Sequence, residues 1–114
     1  MSDTFDPLMS EEQYAYVTTT GRKSGLAREI EIWFVEHDDK IYILAEHGFR
    51  AQWVKNIIAN PHVSVRIGRI EFAGTARVLD PEKDIETYVK VRELSREKHG
   101  WGEGMPVEIK RKPS

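Results

Sequence analysis

The stretch Gly21-Arg22-Lys23-Ser24-Gly25-Leu26-Ala27-Arg28 gathers the most directed chemistry in the chain. Two glycines bracket three donors, so the backbone can form a concave turn with its N–H groups inward while Arg22, Lys23, Ser24 and Arg28 add side-chain donors. That arrangement suits a phosphate. It is not a Walker A loop, which needs Gly, four residues, then Gly-Lys-Ser/Thr and a following helix. The residues alone leave a second reading open, a solvated basic loop between two strands.

Trp53 and Asn56 are three residues apart on a helical pattern and therefore share a face, where an indole could stack on a planar ligand and an amide could bond its edge. The competing reading makes Trp53 a core anchor and Asn56 a clamp on nearby backbone. His37, His47, His62 and His99 show no spacing that pairs two ligands with a carboxylate, so no metal site is expected. Ser24 has no evident base, and Glu29 and Glu31 on one strand face lack the cleft that a glycosidase needs. No residue is assigned a catalytic role.

Positioning these groups falls to short strands. Ile and Val together number 19 and Leu only five, so the apolar material is mostly β-branched and suited to pleated surfaces. Residues 14–20 read as a strand entering the loop. In residues 28–35, Ile30, Ile32 and Phe34 alternate with Glu29, Glu31, Trp33 and Val35, which is period two. Asp38-Asp39 turns the chain and residues 40–46 return. The period then changes: Trp53, Val54, Ile57 and Ile58 recur at three and four, predicting a helix over 50–60 that Asn60-Pro61 ends. Val63, Val65 and Ile67 form a strand, Gly68-Arg69 a tight turn, and residues 70–79 a partner with Ile70, Phe72, Gly74, Ala76 and Val78 on one face.

A second helix is predicted from an Asp80 N-cap and Pro81 to Lys98, with Ile85, Tyr88, Val89, Val91 and Leu94 as its apolar side and His99-Gly100 as its close. A last strand lies within residues 105–112. Residues 1–13 read as an extension, with Ser10 and Gln13 spaced as a capping box. The pattern predicts a mainly β domain with two helices, its six antiparallel strands closed or nearly closed into a barrel.

The 114 residues make one domain that buries roughly two-thirds of its unfolded surface, enough for a core without staples. The absence of cysteine excludes disulfide scaffolds, thiolate metal sites and cysteine nucleophiles. A net charge of -2 argues against a general nucleic-acid binder. No apolar run approaches the roughly 20 residues that span a bilayer, and the acidic start is unlike a secretory signal, so a cytoplasmic protein with no integral membrane segment is expected. Trp33 and Tyr42, expected to be exposed, would gain from being covered by a second copy.

Taken together, Thr18-Thr19-Thr20-Gly21-Arg22-Lys23-Ser24-Gly25 with Arg28, the helix Trp53-x-x-Asn56-Ile57 and the segment Asn60-Pro61-His62-Val63-Ser64-Val65 resemble the deazaflavin-dependent nitroreductase family. That family belongs to the flavin-reductase-like split β-barrels that include pyridoxamine phosphate oxidases. The likeness spans residues 14–79. It implies a homodimeric split barrel that binds the deazaflavin coenzyme F420 near the dimer interface and passes a hydride to an electron-poor small molecule: a quinone, enone or nitro compound. By position it implies that Lys23, Ser24 and Arg28 hold the cofactor phosphate, with Arg22 assisting or binding the acidic tail. The strand beginning at Arg28 and the segment Ala45-Glu46-His47 would flank the ring through backbone groups, Arg50 would also bind the cofactor, and Trp53 and Asn56 would form the wall behind it.

The chain departs from the family in having one glycine in Ala45-Glu46-His47-Gly48-Phe49-Arg50, Val54 after Trp53, and no tyrosine cluster between Tyr88 and Pro106. The acceptor's identity therefore does not carry over. FMN also presents a phosphate, so an FMN-binding split-barrel reductase or oxidase is the alternative. A non-catalytic binder of a cofactor, tetrapyrrole or lipid and a ligand-free structural barrel are the others.

Overall fold

The computed structural model describes residues 11–113; the capping box at Ser10 lies outside the described residues. The elements run β1 (Tyr14–Thr20), β2 (Ala27–His37), β3 (Lys40–Ala45), a 3-10 turn (Gly48–Arg50), α1 (Gln52–Ala59), β4 (His62–Ile67), β5 (Ile70–Val78), α2 (Ile85–His99) and β6 (Met105–Arg111). The six strands form a closed barrel in the order β1-β2-β3-β6-β5-β4, antiparallel throughout. The seam is the β1–β4 pair, with Val17 opposite Val65. Closure leaves no long unpaired edge, as the strand count anticipates. Among the described residues no helix is long and apolar enough to cross a membrane.

Turn chemistry sets the registers. Asp38 and Asp39 both have positive φ, 53° and 60°, which gives a two-residue turn of the type that follows strand twist. Gly68 has φ 59° and begins the β4–β5 turn. Period-two alternation then sends Val17, Phe34, Ile41, Ile43, Val63, Val65, Ile67, Phe72, Ala76, Val107 and Ile109 into one interior, joined by Ile57 from α1. Ile30 and Ile32 pack on that cluster from β2, on the predicted face.

A second apolar layer lies outside the barrel wall, where Val35, Tyr42 and Leu44 meet Leu79 and Val91, flanked by Tyr88, Leu94 and Trp101. This corrects the expectation that Tyr42 is exposed. The residue is 2% exposed because the chain's own α2 covers it, and its phenol donates to Glu108 Oε2 at 3.0 Å. Burial, with the Glu108 carboxylate beside it, pushes the Tyr42 phenol well above its ordinary range. Trp33 is only half-buried.

α2 begins four residues later than the Asp80 N-cap predicts, at Ile85. Asp80 does cap, but a turn: its Oδ1 accepts from the N–H groups of Glu82 (2.8 Å) and Lys83 (3.0 Å). Asp84 then holds the corner, its Oδ2 accepting from Asp80 N at 2.8 Å while Arg77 donates to both of its carboxylate oxygens at 2.9 and 3.3 Å. The apolar side is also narrower than predicted. Val91 and Ser95 are buried, whereas Ile85 and Val89 face outward. Gly100, in the left-handed region, ends α2 by donating to Arg96 O at 2.9 Å, as predicted. The first helix starts at Gln52 instead of residue 50, because the chain winds a 3-10 turn first.

Arg77 holds the Asp84 carboxyl below the usual carboxylate range, and backbone donors do the same for Asp80. A depressed folded-state pKa contributes stability above the ordinary carboxylate range, and that stability disappears as pH falls through the folded value. Asp84→Ala should lower unfolding stability by about 1 kcal/mol at pH 7 in urea titrations, with the gap to the unsubstituted chain closing in acid. Equal midpoints at pH 7 would contradict the corner's role.

Candidate functional site

Thr20 and Ala27 end the β1–β2 ladder, and the chain between them closes on itself. Gly21 N donates to Leu26 O at 2.8 Å, Gly25 N donates to Gly21 O at 2.8 Å, and Leu26 N donates to Ser24 Oγ at 3.2 Å. Gly25 takes φ 73°, a left-handed conformation that glycine adopts freely. A Cβ on Gly21 would lie 2.7 Å from Ser24 Oγ and 3.3 Å from Leu26 O, so a side chain here would displace the Ser24 hydroxyl. Ser24 uses a lone pair to stabilise the loop and keeps its hydroxyl hydrogen for another acceptor.

Asn56 is 5% exposed and ties this loop to α1. Its Oδ1 accepts from Arg22 N at 3.2 Å and from Arg22 Nη1 at 2.9 Å, and its Nδ2 donates to Thr19 Oγ1 at 3.3 Å. Arg22 Nη2 donates to Gln52 Oε1 at 2.8 Å. The clamp reading of Asn56 is thus the observed geometry, and Arg22 is directed onto α1. Lys23 and Arg28 differ: both are exposed and have no hydrogen-bond or ion-pair partner among the described residues. The loop, Arg28, Ile30, Gln52, Trp53 and Asn56 enclose a pocket of about 360 Å³.

A larger pocket of about 580 Å³ adjoins it. Trp53 lines both. So does β2 as a strand: Arg28 and Ile30 face the cationic pocket, and residues 31–35 face the larger one. At about 3.3 Å per residue, Arg28 and Trp33 are roughly 17 Å apart along β2. The larger pocket is walled by Trp33, Trp53, Trp101 and Phe34, with Glu31, Glu46 and His47 as its charged or ionisable groups. The two pockets therefore lie side by side, one lined by cations and the other by aromatic rings, with Trp53 between them.

Of the residues singled out in the sequence, Arg22, Lys23, Ser24, Arg28, Trp53 and Asn56 meet in the cationic pocket, while Glu46 and His47 line the aromatic one, 3.9 Å apart. Ala45 and Arg50 line neither. Ala45 is buried at the end of β3 with its carbonyl against Gly104, and Arg50 is exposed on the 3-10 turn. Sequence reasoning missed Trp33 and Trp101. The available signals were an indole on the polar face of β2 and a tryptophan set among Gly100, Gly102 and Gly104.

Those glycines have a visible purpose. A Cβ on Gly102 would strike Arg92 O and one on Gly104 would lie 2.7 Å from the Trp101 ring, so the segment after α2 lies flat on it. Ser95 Oγ donates to Trp101 O at 2.5 Å and Arg92 Nε to Gly102 O at 2.8 Å, securing Trp101 at the cavity. Glu31 accepts from Tyr16 at 2.5 Å, a bond that raises the Tyr16 phenol above its ordinary range.

No curated protein matches the chain significantly. Among solved structures, one described as an F420-H2 dependent reductase (FDR-A) is 28% identical, with a TM-score of 0.66 over 88% of this chain and 94% of that one. Another, described as a domain-swapped dimer, is 30% identical, with a TM-score of 0.62 over 88% of this chain and 80% of that one. A putative pyridoxamine 5'-phosphate oxidase from Listeria innocua, 17% identical, has a TM-score of 0.73 over 93% of this chain and 89% of that one, a likeness of fold. The split-barrel architecture expected from the sequence is therefore the observed one. The model of the F420H(2)-dependent quinone reductase family matches residues 6–107, and with that match and the cavity just described, the chain belongs to this family of deazaflavin-dependent reductases.

Proposed function

We propose that the chain binds reduced coenzyme F420 across the two neighbouring pockets and reduces an electron-poor small molecule, a quinone, enone or nitro compound, at the aromatic one. The observation that carries this reading is the shared wall: Trp53 and β2 line both a pocket with two cations that have no partner among the described residues and a pocket walled by indoles. When bound, the coenzyme supplies the hydride, so the protein needs no nucleophile.

The residues of this chain divide the remaining work. Lys23 and Arg28 pair with the phosphate oxygens, and the free Ser24 hydroxyl hydrogen adds a third donor. Arg22, with its guanidinium spent on Gln52 and Asn56, shapes the loop and leaves the charge pairing to its neighbours. Trp53 walls the ring where the two pockets join. Glu46 and His47 stand at the ring end, and the indoles exclude water so that donor and acceptor are held face to face. FMN has a phosphate too, but the family match favours the deazaflavin.

We further infer a homodimer. Support comes from the 30% identical chain described as a domain-swapped dimer. Phe49 and Leu26, each about 60% exposed on segments next to the site, supply apolar surface for it, in place of the buried Tyr42.

Two substitutions test the reading. Lys23→Ala and Arg28→Ala should each weaken binding of oxidised coenzyme F420 by roughly ten- to hundredfold in fluorescence titrations, the loss of one charge-assisted contact. Unchanged affinity in both variants would refute the assignment of the loop. Asn56→Ala removes the acceptor for Arg22 N, and hydrogen exchange at that amide should accelerate while stability drops by roughly 1–3 kcal/mol. An unaltered exchange rate would show that the loop holds itself without the clamp.

A further inference from the structure

His99, the last residue of α2, has no part in the proposed reaction, yet it is built into the back of the aromatic pocket. Its ring lies parallel to the Trp33 indole, with centroids 4.8 Å apart and 4° between planes. Its Nε2 lies 2.8 Å from Phe34 O. A carbonyl can only accept, so Nε2 carries the hydrogen and Nδ1 of the neutral ring is a bare lone pair. That Nδ1 is buried and has no partner among the described residues. Trp33 and Phe34, the two residues His99 touches, both line the pocket.

We propose that His99 is a positioning residue: its neutral ring, hydrogen-bonded to Phe34 O, holds the Trp33 indole as a wall of the aromatic pocket, and protonation at Nδ1 releases that wall. Protonation would create a buried N–H with no acceptor, which is costly. The charges around it come from three elements. Lys98 precedes it on α2 with its ammonium 3.8 Å from the Phe34 ring centroid; Glu36 of β2 and Glu12 ahead of β1 act on Lys98. Burial, chiefly, and the Lys98 charge hold His99 below the usual histidine range. The wall is therefore firm at neutral pH and loosens in acid.

The coupling of His99 to Trp33 stands on this geometry; its effect on cofactor binding rests on the function proposed above. The test uses intrinsic tryptophan emission of the full chain without ligand, from pH 8 to pH 5. An imidazolium quenches an adjacent indole more strongly than a neutral imidazole does. The unsubstituted protein should show a reversible fall in emission with its midpoint below about 6.5, with far-UV circular dichroism unchanged. His99→Phe, which keeps a stacked ring, His99→Gln, which keeps a donor for Phe34 O, and Trp33→Phe should all lack the transition. A flat profile in the unsubstituted protein, a transition that persists in either His99 variant, or one that coincides with unfolding would overturn the proposal.

Equilibrium dialysis of oxidised coenzyme F420 supplies the second readout. Its dissociation constant should rise several-fold through the same transition and stay constant in His99→Phe. A constant value in the unsubstituted protein would overturn the pocket-wall role. If the coenzyme bound at no pH while the emission transition remained, the proposed function would fail and the His99–Trp33 coupling would stand.

Discussion

A loop can present unpaired cations to a ligand only if its own backbone is already satisfied and fixed. Here that constraint is met by Asn56. One buried amide accepts from the main chain and side chain of Arg22 and donates to Thr19, so the β1–β2 loop and α1 become a single rigid corner. Arg22 is consumed by that corner, while Lys23 and Arg28 beside it have no partner among the described residues. Gly21 and Gly25 let the chain turn in so short a space, and barrel closure through β1 and β4 keeps both strands flanking the corner in register. The cationic face is thus a consequence of packing, with its charges held out of the internal hydrogen-bond network of the described residues.

The barrel itself was legible because its signals are local. Alternation in β2, β4 and β5, positive-φ turn residues at Asp38-Asp39 and Gly68, and the change of period at Trp53 each act within a few residues. The cationic loop was visible for the same reason. What sequence could not reveal were choices between near-equivalent local solutions. Asp80 can cap a helix or a turn, and here it caps a turn whose corner Asp84 closes, held by Arg77 seven residues earlier. Tyr42 has the alternation of an outward residue, but α2 covers that wall, so the outward face became a second core. Nothing near Tyr42 in the chain encodes that helix's return.

The site divides along the same line. Residues from the loop and α1 meet because two short segments lie side by side, and family likeness marked them. Trp33 and Trp101 join the cavity from β2 and from the glycine-rich segment after α2, some 70 residues apart in the chain, and only the fold brings them to one pocket. Ala45 and Arg50 show the converse: adjacency in sequence to Glu46 and His47 did not place them on the cavity, because the strand end buries one and the 3-10 turn points the other outward. The same tertiary logic puts His99 behind Trp33, linking the end of α2 to the pocket wall.

The central claim is that one ligand spans both the cationic and the aromatic pocket. The most direct measurement is a two-dimensional nitrogen–proton NMR spectrum of the labelled protein as oxidised coenzyme F420 is added. Our account predicts that the backbone signals of residues 22–28 and the indole signals of Trp33 and Trp53 shift together, with a single saturation point. Saturable binding that left either the loop or the indoles unmoved would contradict it.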